Sequence, residues 1–314
     1  MKCDAVLLVA FGGPEKMEDV RPFLANVVHG RLVPPARLGE VVRHYECFDG
    51  LSPLNAITFR QAEALRNLLQ QEGPQLPVYV GMRNWHPYLA ETLEHMAADG
   101  ITNAIGCILS AQQSEAGWER YKTNVADARQ QVGAAAPAIT FTAGWYQHAL
   151  FIDAVADLTT KALAEVPAEC RTATPLVFTA HSIPTAMPST QRYISQIETG
   201  ARLVAQRLGQ GRWTIAYQSR SGPPQVPWLE PDIGVVLKKL ASSGASHVVV
   251  VPIGFVCDHV EVLYDLDTEA KRIAQQSGLN MIRAQTVNDH PAFIQMMADV
   301  VLKTMNDGSE SARS

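Results

Sequence analysis

Ala5-Val6-Leu7-Leu8-Val9-Ala10-Phe11, stopped at once by Gly12-Gly13-Pro14, is the stretch from which the fold can be read. An unbroken apolar run of this length, with no polar alternation, is the pattern of a strand buried on both faces, and the Gly-Gly-Pro stop turns the chain. Such strands belong to parallel sheets layered with helices. The same pattern returns at Leu176-Val177-Phe178-Thr179-Ala180-His181-Ser182-Ile183-Pro184, again a buried strand with a Pro-bounded turn.

Outward from these two strands the chain alternates. After the first turn, helical periodicity runs over 17–28, is broken at Gly30 and Pro34-Pro35, and resumes over 36–46 and 53–72, making an insertion at about 14–72. Strands are expected at 78–81, 101–109 and 138–142, and helices at 88–98, 114–132 and 147–165. The second half repeats the scheme. Helix 88–98, Asp99-Gly100 and strand 101–109 match helix 231–241, Ser243-Gly244 and strand 245–253, with equal spacing from each glycine to its strand end. An internal duplication explains this most economically. The second copy carries an added segment, Arg220-Ser221-Gly222-Pro223-Pro224-Gln225-Val226-Pro227-Trp228, too rich in proline to be helical. The expectation is an α/β chain of two similar lobes, residues 1–145 and 146–314, each a parallel sheet flanked by helices. The insertion forms a wall of an active cleft between the lobes, and a closing final helix over 290–305, grouped with the second lobe, could pack back on either.

Composition narrows the function. The 314 residues, 47% hydrophobic, suffice for two cores. A formal charge of −5 without a basic stripe argues against nucleic acid as partner. Neither a signal-like amino terminus nor an apolar run of membrane-spanning length is visible, which points to a cytoplasmic protein without an integral membrane segment. Cys3, Cys47, Cys107, Cys170 and Cys257 are scattered and never in C-x-x-C spacing, so reduced thiols are expected rather than a cysteine-bound metal or cluster.

Ligands of open parallel sheets bind at the carboxyl ends of strands. Those ends carry Phe11, Asn84, Gln112, His181, Gln218, Arg220 and, after Val249-Val250-Val251-Pro252-Ile253-Gly254-Phe255, a helix with Asp258, His259, Glu261, Asp265 and Glu269. Acids four apart on an exposed helix repel by about 0.2–0.5 kcal/mol per pair. The row at Glu261, Asp265 and Glu269 is therefore either a solvated face or a place for a cation. His181 ends a buried strand and has the titration range of a base near neutral pH. Its neighbour in the same lobe is the turn that precedes Glu261. There is no nucleophile elbow, phosphate loop or H-E-x-x-H helix. Aromatics at Phe11, Trp85, Tyr121, Tyr217 and Trp228 suit a flat apolar ligand beside a divalent cation.

Longer motifs carry a family resemblance. Ala180-His181-Ser182-Ile183-Pro184, Tyr217-Gln218-Ser219 through Pro227-Trp228-Leu229-Glu230-Pro231-Asp232, and Pro252-Ile253-Gly254-Phe255-Val256 through Asp258-His259-Val260-Glu261-Val262-Leu263-Tyr264-Asp265-Leu266-Asp267 resemble the ferrochelatases. Phe11-Gly12-Gly13-Pro14, Gly50-Leu51-Ser52-Pro53-Leu54 and Arg83-Asn84-Trp85-x-Pro87-Tyr88 are similar to the soluble bacterial, coproporphyrin-type branch. The resemblance implies two Rossmann-like, chelatase-like lobes and insertion of ferrous iron into a porphyrin for haem synthesis. Coproporphyrin III is the implied substrate, with protoporphyrin IX as the alternative.

It further implies catalytic and metal-binding roles for His181 and Glu261. Asp265 and Glu269 would form a proton or metal path on a helix that contains a π-turn, expected between about 260 and 270. Phe11, Arg31, His44, Tyr45, Ser52 and Tyr121 would be porphyrin-binding. Two positions depart from the pattern: Phe11 stands where soluble relatives often carry a tyrosine able to ligate iron, and His44 where an arginine is expected. Iron enters as substrate, with no tightly bound cofactor; the cluster-bearing cysteines of some members are missing from 306–314, so no [2Fe–2S] cluster is implied. The partners are porphyrin and ferrous iron, and a monomer is expected. The implied chemistry is entry of the porphyrin into the cleft, bending of the ring at about 1–5 kcal/mol, and removal of pyrrole protons by His181. A cobalt chelatase for a reduced tetrapyrrole and a non-catalytic haem or metal carrier are the rival readings.

Overall fold

The computed structural model describes residues 3–30, 33–222 and 225–310. The chain divides into two compact units, one of Met1–Leu109, Trp118–Gly144 and Phe293–Ser314, the other of Ser110–Gly117 and Trp145–Ala292.

The first unit is built on β1 (Ala5–Ala10), β2 (Val78–Met82), β3 (Asn103–Ile108) and β4 (Ala138–Phe141), ordered β2-β1-β3-β4 and parallel throughout. β1 is central and wholly buried, as its apolar run requires. Ala5, Leu7 and Val9 point to one face, where they meet Leu89, Leu93 and Met96 of α4 (Leu89–Ala98) and Trp118, Tyr121, Val125 and Ala128 at α5 (Arg120–Val132) and the turn before it. The alternation of strand side chains sends Val6 and Leu8 to the other face, also buried. The expected insertion is three helices, α1 (Met17–Val27), α2 (Pro35–Glu46) and α3 (Leu54–Glu72).

In the second unit α6 (Ala149–Ala164) leads into β5 (Leu176–His181), α7 (Thr190–Arg207), β6 (Trp213–Gln218), α8 (Ile233–Ser242), β7 (His247–Val251) and β8 (Asn280–Arg283). The sheet order, β6-β5-β7-β8, repeats that of the first unit position for position, and it is again all parallel. Hydrogen bonds mark the correspondence. Met82 N–H donates to Pro87 O at 2.8 Å, and Tyr217 N–H to Pro231 O at 2.9 Å. Leu109 N–H donates to Val9 O, and Gly254 N–H to Thr179 O, both at 3.0 Å. One extra residue separates the copies here: Ile253 N–H turns back to Val251 O at 2.8 Å, so strand 7 ends in a tight turn after Pro252. Gly254 is required beyond it, since a Cβ would lie 2.6 Å from Ala180 Cβ and 2.7 Å from its Cα.

From that turn the chain enters α9 (Val260–Val262), continues as a π-helix over Leu263–Ala270, and finishes as α10 (Lys271–Gln276). Val262, Leu266, Ala270 and Ala274 are all buried against the sheet and α8. In an α-helix of 3.6 residues per turn, a strict four-residue row rotates about 40° at each step and would leave the interface. The wider π-turn keeps it aligned. The π-turn expected between 260 and 270 is thus present, and the apolar row accounts for it.

Two features differ from the sequence expectation. The final helix, α11 (Pro291–Glu310), belongs to the first unit and not to the second lobe. Phe293, Met296, Met297, Val300 and Val301 are buried, and a Cβ on Gly73 at the end of α3 would touch Leu302 at 3.7 Å. Residues 110–117 in turn belong to the second unit: Gln112 Nε2 donates to Ile253 O at 3.2 Å, Gln113 N to Gln196 Oε1 at 2.6 Å and Glu115 N to Ser189 Oγ at 2.9 Å. No helix among the described residues is long and apolar enough to cross a membrane.

Candidate active site

His181 is the last residue of β5, in register with Gln218 of β6. Its ring Nδ1 contacts the carbonyl oxygen of Ser182. A carbonyl can only accept, so Nδ1 carries the proton and the lone pair of the neutral ring sits on Nε2. Nε2 lies 3.8 Å from Glu261 Oε2, with the two side chains 33% and 48% exposed. Tyr193 supports the strand end through its hydroxyl, which donates to His181 O at 3.0 Å. Leu229, just after the added proline-rich segment, is tied to the same turn: its N–H donates to Ile183 O at 3.0 Å, and Ser182 Oγ donates to Leu229 O at 2.8 Å.

Glu261 opens the acid row of the π-helix. Asp265 follows, half-buried, and receives a hydrogen bond from the Ser219 hydroxyl. Burial pushes the Asp265 carboxyl up from 3.8 to about 7; the charges of Glu261 and Glu269 push the same way, against hydrogen bonds from Ser219 and Gln218. A group that ionises there exchanges protons readily at neutral pH. Glu269 ends the row, exposed. Burial holds the His259 imidazole below its ordinary value, against the pull of Glu261 and Asp258, so it stays neutral beside the Phe255 ring, 5.2 Å away. Sequence reasoning placed Gln218 at a strand end and quoted Ser219 within a motif, without a role for either. The four-residue acid row was the available signal, because its buried middle member needs a donor.

In the first unit, Phe11, Tyr45 and Tyr121 are joined by residues the sequence reading left unassigned. Phe23 stands edge-on to Phe11 at 6.2 Å, to Tyr45 at 5.9 Å and to Trp85 at 6.4 Å. The Arg83 guanidinium lies 5.6 Å from the centre of the Phe11 ring and 5.2 Å from that of Tyr121, a cation between two aromatic faces. Asn84 anchors the loop by donating to Phe11 O through its backbone at 3.0 Å and its side chain at 3.2 Å. Ser52 is buried under the turn after β1, where a Cβ on Gly13 would come within 2.9 Å of Ser52 Cβ. His44 is half-buried on α2. Arg31 lies outside the described residues.

The second unit therefore presents an imidazole lone pair beside a carboxylate, continued by acids toward solvent. The first holds an aromatic cluster in which Phe23, Tyr45 and Tyr121 are buried, with the Arg83 guanidinium beside the Phe11 and Tyr121 rings. Comparisons with known proteins show the family. The ferrochelatase family model matches residues 3–305. A Nocardia farcinica protein named coproporphyrin III ferrochelatase is 44% identical over 309 residues, covering 96% of this chain and 88% of the relative. A Rhodopirellula baltica ferrochelatase is 40% identical over 308 residues, covering 98% and 88%. Among solved structures, SirB from Bacillus subtilis with Fe3+ superposes with a TM-score of 0.61 at 12% identity, covering 98% of each chain, a likeness of fold. The chain belongs to the ferrochelatase family.

Proposed function

We propose that this chain inserts ferrous iron into coproporphyrin III, releasing the two pyrrole protons and giving the iron porphyrin for haem synthesis. The names of the relatives that are 40–44% identical support the reaction, and the first of them supports the substrate. The observation that carries the residue assignment is the Nε2 lone pair of His181 facing Glu261 at 3.8 Å, at the head of the acid row.

His181 Nε2 takes a pyrrole proton as the metal replaces it, and Glu261 stabilises the imidazolium. The Ser182 carbonyl holds the ring by Nδ1 throughout, so the proton is gained and lost at one nitrogen. Asp265, which titrates near neutrality, passes protons between Glu261 and the exposed Glu269. The same carboxylates can pass the incoming iron(II), a borderline cation that accepts both oxygen and nitrogen ligands, before the porphyrin nitrogens capture it. Phe11 supplies apolar surface for the macrocycle; Arg31, Tyr45, Ser52 and Tyr121 are assigned to its propionates, and His44 stands at a porphyrin-binding position where an arginine is expected.

The test is metal insertion followed by the Soret band, with coproporphyrin III and protoporphyrin IX side by side. Faster insertion into coproporphyrin III is expected, and a preference for protoporphyrin IX removes the substrate assignment. His181→Ala should abolish insertion while porphyrin binding persists; wild-type rates in that variant remove the assignment of the base.

A further inference from the structure

Arg283 ends β8, on the edge of the second sheet, yet its side chain is only 11% exposed. Its donors are almost all committed. Nε donates to Asp267 Oδ1 at 2.7 Å and one terminal nitrogen to Asp267 Oδ2 at 2.8 Å; the other reaches Asp258 Oδ1 at 3.0 Å and Ala284 O at 3.3 Å. The fork grips one carboxylate by both oxygens, and the third arm takes a second carboxylate. The two acids bracket the site. Asp258 lies three residues before Glu261, and Asp267 lies inside the π-helix between Asp265 and Glu269. The loop after β8 adds a second hold on Asp258, through Thr286 Oγ1 at 3.1 Å and through its backbone N–H, which donates to Asn288 Oδ1 at 2.9 Å.

We propose that Arg283 is a positioning residue for metal insertion: by clamping Asp258 and Asp267 to the end of β8, it holds the widened turn and so fixes the direction of Glu261, Asp265 and Glu269. The inference rests on the iron-insertion reading above. A π-turn is a local departure from the favoured α-helix and needs external support. The apolar row of Val262, Leu266, Ala270 and Ala274 supports it on the sheet side. Arg283 supports it through the intervening Asp267. Were the turn to tighten to α geometry, each four-residue step would rotate by about 40°, carrying Glu269 about 80° away from Glu261. The clamp also neutralises Asp267, so the helix offers a cation one row of acids instead of a scattered set. Buried ion pairs add little net stability, and specifying a geometry is a role they fulfil better.

The experiment measures zinc(II) and iron(II) insertion into coproporphyrin III by wild type, Arg283→Gln, Arg283→Lys and Asp267→Asn, with porphyrin affinity read separately from the Soret band without metal. In Arg283→Gln the metal KM should rise at least tenfold while porphyrin Kd stays within twofold. Asp267→Asn, which loosens the fork but leaves Arg283 on Asp258, should move the metal KM in the same direction and carries the test if Arg283→Gln does not fold. Arg283→Lys keeps the charge but not the planar fork and should stay impaired. Metal KM within twofold of wild type in the folded variants, or metal and porphyrin parameters failing together, overturns the clamp. Full rescue by lysine overturns it too, by assigning the effect to charge alone. A wild-type protein that inserts neither ion overturns the functional reading and this inference with it, whereas an active wild type with unaltered variants overturns this inference alone.

Discussion

Replacing Asp265 by Asn should make the protein more stable and less active, with a stability gain that depends on pH in a defined direction. The carboxyl titrates at about 7 in the folded chain and at about 3.9 in an unfolded one. Between those values the folded chain keeps a proton that the unfolded chain has lost. Stability due to this group is therefore complete below about pH 4, falls as pH rises, and levels off above about pH 7. A shift of about three units corresponds to roughly 4 kcal/mol. Part of it comes from the charges of Glu261 and Glu269, which salt screens, so about 2–4 kcal/mol is the expected range. An amide does not titrate, and the Ser219 hydroxyl can still donate to its oxygen. Urea unfolding at intervals from pH 4 to pH 8 should show the two proteins alike at the acid end and Asp265→Asn ahead by that amount at pH 8. Metal insertion should be lost in the same variant. A stability difference that does not change with pH, or a variant weaker than wild type at pH 8, would refute the reasoning.

Further substitutions probe neighbouring links. Ser219→Ala removes a donor that favours the ionised carboxylate, so the Asp265 carboxyl should move further up and the acid limb of the rate profile for metal insertion should move to higher pH; an unmoved limb contradicts the assigned role. Gly254→Ala places a methyl group 2.6 Å from Ala180 Cβ and 2.7 Å from its Cα, where a strand backbone cannot yield. It should cost about 1–3 kcal/mol and lower insertion by displacing the turn before Glu261 from β5; a urea midpoint equal to wild type would show that the close approach is unimportant.

What could be read from sequence follows the range of the interactions. Buried parallel strands are local patterns, and β1, β5 and both glycine-marked helix-to-strand units stand where the apolar runs put them. The π-turn was implied by the family resemblance alone, and the buried row at 262, 266, 270 and 274 that accounts for it is seen only in the structure. β8 is only Asn280–Arg283 and has no alternation to betray it. The amphipathic pattern of α11 says that one face is buried, not which sheet buries it, and the helix joins the first unit. The Arg283 clamp joins residues 16 and 25 positions apart, and nothing local marks those pairings. Arg83 was quoted within a motif, yet its place between Phe11 and Tyr121 depends on three separate segments.

The matched hydrogen bonds from Met82 to Pro87 and from Tyr217 to Pro231 give the two halves a common coordinate system. Ala10 pairs with Met82 and Ala180 with Tyr217, so Phe11 and His181 occupy the same address in their respective copies, as do Arg83 and Gln218, and Asn84 and Ser219. A doubled backbone offers every socket twice. The phenyl ring at one address and the imidazole at the other show that matched backbone positions carry different chemistry: of the two, the second copy alone offers a proton acceptor there, and side-chain identity makes the difference.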